Sequence, residues 1–243
     1  MSELCQVCGS REAMPLVHQE PHLWVRCPDC GFAWISPMPG QAEATRMQDD
    51  ETGQSYIDGY LVKFDKKMRN ARHRARLLAR RMPGPRLLDV GSNIGCMVAA
   101  AGERGMEPTG VEINPVLVGE AERRFPGHRF LCGAFEELDL PDGGFDGVYC
   151  SEVIEHVVDT NRFLAGIARV MHPGAVLFLT TPALREYARG GDPKRWRHFG
   201  APDHKLYYSA ANIRRQLQRH GFGSVRVLFN FGRGIKLFAT RTP

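Results

Sequence analysis

Leu87-Leu88-Asp89-Val90-Gly91-Ser92-Asn93-Ile94-Gly95 decides the reading of this chain, and Gly110-Val111-Glu112-Ile113-Asn114 completes it. An apolar strand runs into a glycine-bearing turn, a helix is expected next, and the following strand ends on a lone carboxylate. That order makes half of a nucleotide-binding βαβ unit. Glycine suits the turn because the backbone must bend sharply and pass close to a ligand, and a Cβ at Gly91 or Gly95 would intrude. Glu112 lies 23 residues after Asp89, close to the roughly 20-residue offset at which a carboxylate accepts hydrogen bonds from ribose hydroxyls. A dinucleotide fingerprint needs Gly-x-Gly-x-x-Gly with the pyrophosphate on the helix N-terminus. Here Asn93 stands at the second glycine and no third is correctly spaced, which disfavours NAD.

On these residues the chain resembles the class I S-adenosylmethionine-dependent methyltransferases. Asp89, Gly91 and Gly95 match the acidic residue and spaced glycines of that family's first motif, and Asn93 departs from the glycine often found between them. The resemblance runs in order from about Leu87 to Thr240. Gly133-Ala134-Phe135-Glu136-Glu137-Leu138 stands at the adenine-contacting loop, Phe145-Asp146-Gly147-Val148-Tyr149 at the fourth strand, and Met171-His172-Pro173-Gly174-Ala175 at the turn into the fifth. It implies an α/β fold with a Rossmann-like, seven-stranded sheet. S-adenosylmethionine would be held by Asp89, Gly91, Ser92, Asn93, Gly95, Glu112, Ile113, Ala134, Phe135 and Ser151. Ala134 replaces the Asp often found there, so the adenine amino group needs another acceptor, backbone or Glu136.

At 243 residues the chain can hold one α/β domain of ordinary size and a small module. Nothing resembles a signal peptide, and no apolar run approaches the roughly 18 residues a membrane span needs. A cytoplasmic protein is the expectation. Four of the seven cysteines fall as Cys5-x2-Cys8 and Cys27-x2-Cys30, eighteen residues apart. Thiolate pairs so spaced sit on two knuckle turns and close a tetrahedral zinc site. With four protein ligands the metal keeps no open position, so its role is structural. Cys96, Cys132 and Cys150 are expected to be buried as small apolar residues.

The net charge of +5 has a local source. Residues 60–82 carry nine Lys/Arg against Asp65 alone, which leaves 23 basic and 26 acidic residues elsewhere. Leu61, Phe64, Met68, Ala71, Ala75, Leu78 and Met82 recur at three- and four-residue steps, the pattern of an amphipathic helix with its basic residues mostly on the other faces. Docking on the catalytic domain with a solvated outer face is one account of it. A phosphate-reading face, for RNA or a phosphorylated substrate, is the other.

The expected organisation is a zinc-ribbon-like module over residues 1–40, a linker and basic helix over 41–82, and a methyltransferase domain over 83–243. Strands are expected near 86–91, 107–112, 128–132, 145–150, 175–181, 224–230 and 234–240, and helices near 94–104, 115–125, 159–171 and 209–220. Alternation of strand and helix predicts a doubly wound sheet, and the short Gly232-Arg233-Gly234 connection predicts an antiparallel hairpin at its edge.

Ligands of open α/β sheets bind beyond the carboxyl ends of the strands, so Ser151-Glu152-Val153-Ile154-Glu155-His156 comes under scrutiny next. Glu-x-x-Glu-His resembles the ubiquinone-biosynthesis O-methyltransferases. Carried over, Glu152, Glu155 and His156 would ligate a divalent metal, Mg²⁺ by default, with Zn²⁺ or Mn²⁺ also suited to a His ligand. Without metal, His156 is a general base oriented by Glu152 or Glu155. Capping of the next helix by Glu155 and His156 stays open beside both. Residues 183–208 occupy the place of an acceptor lid and hold Arg185, Tyr187, Arg189, Arg195, Trp196, Arg197, His198, His204, Lys205, Tyr207 and Tyr208. His204 is a second base or an anchor for the helix that Ser209 caps.

The cysteine pairs also resemble sugar C-methyltransferases, but the sequence ends after the seventh expected strand, without their extra C-terminal domain. The expected function is methyl transfer from S-adenosylmethionine to a small-molecule acceptor, at oxygen. An rRNA or tRNA methyltransferase is disfavoured, because the basic helix has few aromatics beyond Tyr60 and Phe64 to stack on bases and an Asn/Asp-Pro-Pro-Tyr tetrapeptide is absent. A non-catalytic cofactor-binding scaffold is the remaining alternative.

Overall fold

The computed structural model describes residues 4–19, 21–44, 46, 54–184, 200, 203–228 and 234–243. Two sheets organise them. A small antiparallel sheet holds β1 (Met14–Gln19), β2 (His22–Arg26), β3 (Ala33–Ser36) and, from far down the chain, β9 (Leu206–Tyr207), in the order β1-β2-β3-β9. The large sheet holds β4 (Arg86–Val90), β5 (Glu107–Glu112), β6 (Arg129–Cys132), β7 (Phe145–Ser151), β8 (Met171–Thr181), β10 (Phe222–Val227) and β11 (Ile235–Arg241), in the order β10-β11-β8-β7-β4-β5-β6. Strands β4 to β8 run parallel, and β11 and β10 add antiparallel pairs at one edge. The hairpin expected there forms, with its turn outside the described residues.

Helices α1 (Gln54–Leu61), α2 (Phe64–Ala79), α3 (Cys96–Gly102), α4 (Pro115–Arg124), α5 (Thr160–Val170) and α6 (Ala210–Arg219) connect the strands. Their starts follow the sequence. Asn114 Oδ1 accepts from the N–H groups of Val116 and Leu117 with Pro115 behind it, Asp159 Oδ1 caps Asn161 and Arg162, and Ser209 and Asn212 form a reciprocal capping box. Each such cap contributes about 1 kcal/mol. Among the described residues no helix is long and apolar enough to cross a membrane.

Alternation along the strands sends successive side chains to opposite faces of the large sheet. Leu88, Val90, Val148, Cys150, Leu177, Leu179 and Leu237 enter one core, shared with Phe163 and Ile167 of α5, Ile213 and Leu217 of α6, and Cys5, Val7, Phe32 and Trp34 of the N-terminal module. Leu87, Tyr149, Val176, Phe178 and Phe238 enter the other, shared with the alanine-rich α3 and with Met68, Ala71, Ala75 and Leu78 of α2. Thus α2 docks through the apolar stripe the sequence shows.

Three details differ from expectation. The basic segment is two helices, broken at Val62 and Lys63, because Lys63 leaves helical geometry (φ −105°, ψ 11°). Residues 54–59, expected within a polar linker, are helical and join Tyr60 and Leu61 in α1, since Ile57 is buried and Tyr60 packs beside it. Cys132, at the end of outer strand β6, is exposed rather than buried.

Candidate functional site

The strand order reverses beside β4: β5 and β6 lie to one side, β7 and β8 to the other. A crevice opens there, beyond the carboxyl ends of β4 and β7. It holds a cavity of about 660 Å³, lined by Asp89, Gly91, Ser92, Asn93, Glu112, Ile113, Ala134, Phe135 and Ser151. That size is ordinary for a small-molecule site. Gly95, not among the lining residues, sits at the start of α3 with φ +83°.

Glu112 fastens the turn. Its Oε2 accepts from the Asn93 N–H at 2.9 Å and its Oε1 from the Asn114 N–H at 3.1 Å. Asn93 takes φ +50°, a left-handed conformation Asn tolerates, and its Nδ2 donates to the Tyr56 hydroxyl at 2.8 Å. Asp89 is buried, and burial, with repulsion from Glu112 and opposed by Arg74, pushes its carboxyl up to about 8. Asp89 Oδ1 and Ser92 Oγ have no hydrogen-bond partner among the described residues. Buried polar atoms are seldom left so, and both residues line the cavity. The residues therefore fit a ligand that brings donors.

Beyond β7 a short 3-10 turn, Ile154–His156, follows Glu152, which holds φ +58°. Such a conformation is uncommon for a non-glycine residue and concentrates at functional sites. Glu152 Oε1 accepts from Thr180 Oγ1 at 2.6 Å. Glu155 is fully buried; Oε2 accepts from Thr181 Oγ1 at 3.0 Å and Oε1 has no partner, 4.0 Å from His156 Nε2. Burial, followed by repulsion from Glu152, pushes the Glu155 carboxyl up to about 8.

His156 Nδ1 lies 2.8 Å from Asp203 Oδ1 and 3.0 Å from the Asp203 carbonyl. Both partners are acceptors, so Nδ1 carries the proton and Nε2 is the basic nitrogen. His204 stands edge-on to His156 with ring centroids 4.9 Å apart, and Nδ1 is 3.2 Å from the Tyr207 hydroxyl. His156 and His204 line the cavity with Asp203 and Glu152. Glu155, His156 and His204 each offer a ligand atom within 4.8 Å of the others. The set expected for Mg²⁺ is thereby altered: Glu152 turns to Thr180 and His204 takes its place. One carboxylate and two imidazoles suit Zn²⁺, Mn²⁺ or Fe²⁺ better than Mg²⁺.

A second candidate site is built from the four N-terminal cysteines. Cys5, Cys8, Cys27 and Cys30 bring their sulfurs within 4.8 Å of one another. Matching turns carry the pairs: the Gly9 N–H donates to the Cys5 carbonyl and the Gly31 N–H to the Cys27 carbonyl, at φ +79° and +74°. The four sulfurs fit one tetrahedral zinc ion.

Comparison with known proteins follows this geometry. Residues 64–227 match the methyltransferase-domain family. The chain belongs to the class I methyltransferases.

Among relatives, a malonyl-[acyl-carrier protein] O-methyltransferase from Serratia marcescens is 33% identical over 110 residues, 45% of this chain and 43% of the relative. A ubiquinone biosynthesis O-methyltransferase from Xanthomonas campestris pv. campestris is 32% identical over 105 residues, 41% of this chain and 44% of the relative. The chain spans about half the length of the curated relatives it matches. In fold it is similar to the Burkholderia thailandensis 1,6-didemethyltoxoflavin-N1-methyltransferase, whose crystal structure holds its acceptor and S-adenosylhomocysteine. The TM-score is 0.63 at 20% identity, covering 95% of this methyltransferase and 100% of that chain.

Of the groups expected in the methyltransferase's lid, Arg185, Tyr187, Arg189, Arg195, Trp196, Arg197 and His198 lie outside the described residues. Lys205, Tyr207 and Tyr208 are fully buried and are not among the residues that line the cavity. Tyr207 packs on Trp24 of the small sheet, and the Tyr208 hydroxyl donates to Gln216. Missing from the sequence-based site were Asp203, Tyr56 and Arg74. Asp203 is 47 residues from His156, in no motif, and only the fold joins them.

Gly91 gives the first test. It sits at φ +74°, and a Cβ there would run into the Val153 side chain. Gly91→Ala is expected to cost about 1–3 kcal/mol of stability and to weaken S-adenosylhomocysteine binding, measured by denaturant unfolding and calorimetric titration. Unchanged values in both would disprove the tight passage at the turn.

Proposed function

We propose that this methyltransferase transfers the methyl group of S-adenosylmethionine to a small-molecule acceptor, at an oxygen of a hydroxylated metabolite, sugar or natural-product intermediate. The observation that carries the reading is a convergence: the turn fastened by Glu112, the partnerless Asp89 Oδ1 and Ser92 Oγ, and His156 all border one cavity. Asp89, Glu112 and the 91–95 turn are assigned to the methionine and ribose parts of the cofactor, and Ile113, Ala134 and Phe135 to its adenine. When bound, the cofactor supplies a sulfonium leaving group, so the protein need not activate the methyl. What remains for the chain is orientation, exclusion of water and removal of the acceptor's proton.

Proton removal is assigned to His156 Nε2. Asp203 holds the ring and its tautomer, an arrangement of base and orienting carboxylate found in many proton-transfer sites. His204 is the second polar group of that wall, and Glu155 steadies the charged imidazole. Cys5, Cys8, Cys27 and Cys30 hold a structural zinc. In this division residues 83–243 carry the chemistry, 1–40 brace it and 41–82 close one wall.

The test is methyl transfer from labelled S-adenosylmethionine to a pool of hydroxylated metabolites, together with titration of S-adenosylhomocysteine. Binding and acceptor-dependent turnover are expected. Absence of cofactor binding overturns the reading, and binding without turnover favours a scaffold.

A pH profile tests the assignment of Asp203. Burial pushes the His156 imidazole down, but the Asp203 hydrogen bond and the Glu155 charge outweigh it and hold it above its ordinary value. The base acts when deprotonated, so kcat/KM is expected to rise with pH through a value above about 6.5. Asp203→Asn removes the carboxylate that favours the imidazolium and moves that limb to lower pH. A limb that stays in place removes Asp203 from this role.

A further inference from the structure

Helix α2 turns one stripe of its basic surface toward the cavity. Lys67, Asn70 and Arg74 follow one another at three- and four-residue steps, which is one face of a helix, and Lys63 stands at its N-cap. Lys66 lies beside them, and all five line the cavity. The stripe adjoins the buried face of Met68, Ala71, Ala75 and Leu78. Other cations are differently employed: Arg72 of α2 forms a two-pronged pair with Glu103, and Arg81, beyond its end, lies 4.5 Å from the Phe238 ring centroid.

Among the described residues, Lys63, Lys66, Lys67 and Arg74 have no carboxylate within ion-pair distance. Lys67 Nζ stands 4.3 Å over the Tyr60 ring, and Arg74 donates to the Tyr149 and Ser151 hydroxyls. Most acids of the same cavity are engaged elsewhere. Glu112 accepts from two backbone N–H groups, Glu152 from Thr180, and Asp203 from His156. Like charges at three- and four-residue spacing on a helix repel, and the attraction of Asp89 for Arg74 and of Glu152 for Lys67 offsets this only in part.

We propose that this wall binds an anionic group of the methyl acceptor, a phosphate or a carboxylate, so that the acceptor is an acidic small molecule. The proposal rests on the methyltransferase reading and deepens it. The cofactor's single carboxylate cannot employ the whole stripe, because the ten steps of helix from Phe64, next to Lys63, to Arg74 rise about 15 Å. A concave wall, facing the same cavity as the base, holds a small anion and aims the rest of the molecule at His156. The outer face of α2, where RNA would lie, has part of its charge paired to the protein.

The experiment uses the full chain saturated with S-adenosylhomocysteine, which fills the cofactor's own carboxylate site. Inorganic phosphate and, separately, succinate are titrated at constant ionic strength and followed by calorimetry. One of them is expected to bind, and the Lys63→Gln/Lys66→Gln variant to weaken it about tenfold or more, with S-adenosylhomocysteine affinity unchanged. Both lysines are exposed, so the variant should fold, and a matching thermal melt verifies it. The stronger of the two anions names the group. No anion binding to the complex, or binding indifferent to the variant, overturns the proposal while the methyltransferase reading stands. A loss of S-adenosylhomocysteine affinity in the variant also overturns it, by giving the lysines to the cofactor. Tight binding of a 20-nucleotide RNA abolished by the same variant overturns it in favour of a nucleic acid. Failure of the wild type to bind S-adenosylhomocysteine is the separate failure of the underlying reading.

Discussion

His156→Asn is expected to lower kcat/KM by about 10²–10⁴-fold, the usual contribution of a positioned base, while S-adenosylhomocysteine binds as before. Asparagine keeps a donor for Asp203 and removes the basic Nε2. Little stability should be lost, because the Asp203 carboxylate is partly solvated, with 43% of its side chain exposed. The cofactor side of the cavity is built from β4, β5 and the 91–95 turn and makes no hydrogen bond to His156. The loss should therefore fall on the reaction and leave cofactor affinity alone. Combining it with Asp203→Asn should add little, since the two groups act as one unit. Activity of His156→Asn within about threefold of the wild type would remove the base and point to an acceptor that is already ionised.

The sequence is informative where structure is local. Leu87 to Val90 and Val148 to Cys150 alternate between two cores, and that alternation is written in neighbouring residues. Glu112 can be picked out by its offset from Asp89, and the cysteine pairs by their spacing. Long-range pairing leaves no such trace. Strand β9 is only Leu206–Tyr207 and exists because Ala33 and Trp34 pair with it. Hence Lys205, Tyr207 and Tyr208 read as polar lid residues, when β3 and α6 bury them. Asp203 and His156 meet for the same reason. Tyr56 hides in a polar stretch whose buried residues among those described, Ala44 and Ile57, are too few and too far apart for periodicity to detect. The basic helix shows its apolar stripe plainly, but not which of its other faces turns to the cavity, because that depends on where α2 lies across α3.

Removing metal from the cysteine site is expected to disable catalysis as well as lower stability, because the module is wired to the loop that carries His156. Gln6, inside the first knuckle, accepts from the Thr160 N–H at 2.8 Å and Thr160 Oγ1 at 2.7 Å, and donates to the Val158 carbonyl at 2.8 Å. Its own carbonyl accepts from Asn161 Nδ2 at 3.0 Å, and the Val7 carbonyl from Arg219 at 2.6 Å. Beyond the second knuckle, the Ile35 N–H of β3 donates to the Lys205 carbonyl, and the Lys205 N–H to the Glu155 carbonyl. Both knuckles thus reach the segment that carries His156. Zinc binding at such sites is worth about 10–16 kcal/mol in isolated fingers, and here part of the module stays held by Val7, Phe32 and Trp34 in the shared core. Chelation, or Cys27→Ser, should release one zinc per chain, lower the melting temperature and reduce turnover. Gln6→Ala separates the brace from the metal. It leaves the fully buried Thr160 and its neighbours short of partners, at about 1–3 kcal/mol for each buried group, hence a melting temperature lower by roughly 10 °C. Its zinc content should match the wild type and its kcat should fall, with S-adenosylhomocysteine affinity preserved. A zinc-free protein with full turnover and an unchanged melting temperature would show that the four sulfurs are not a structural metal site.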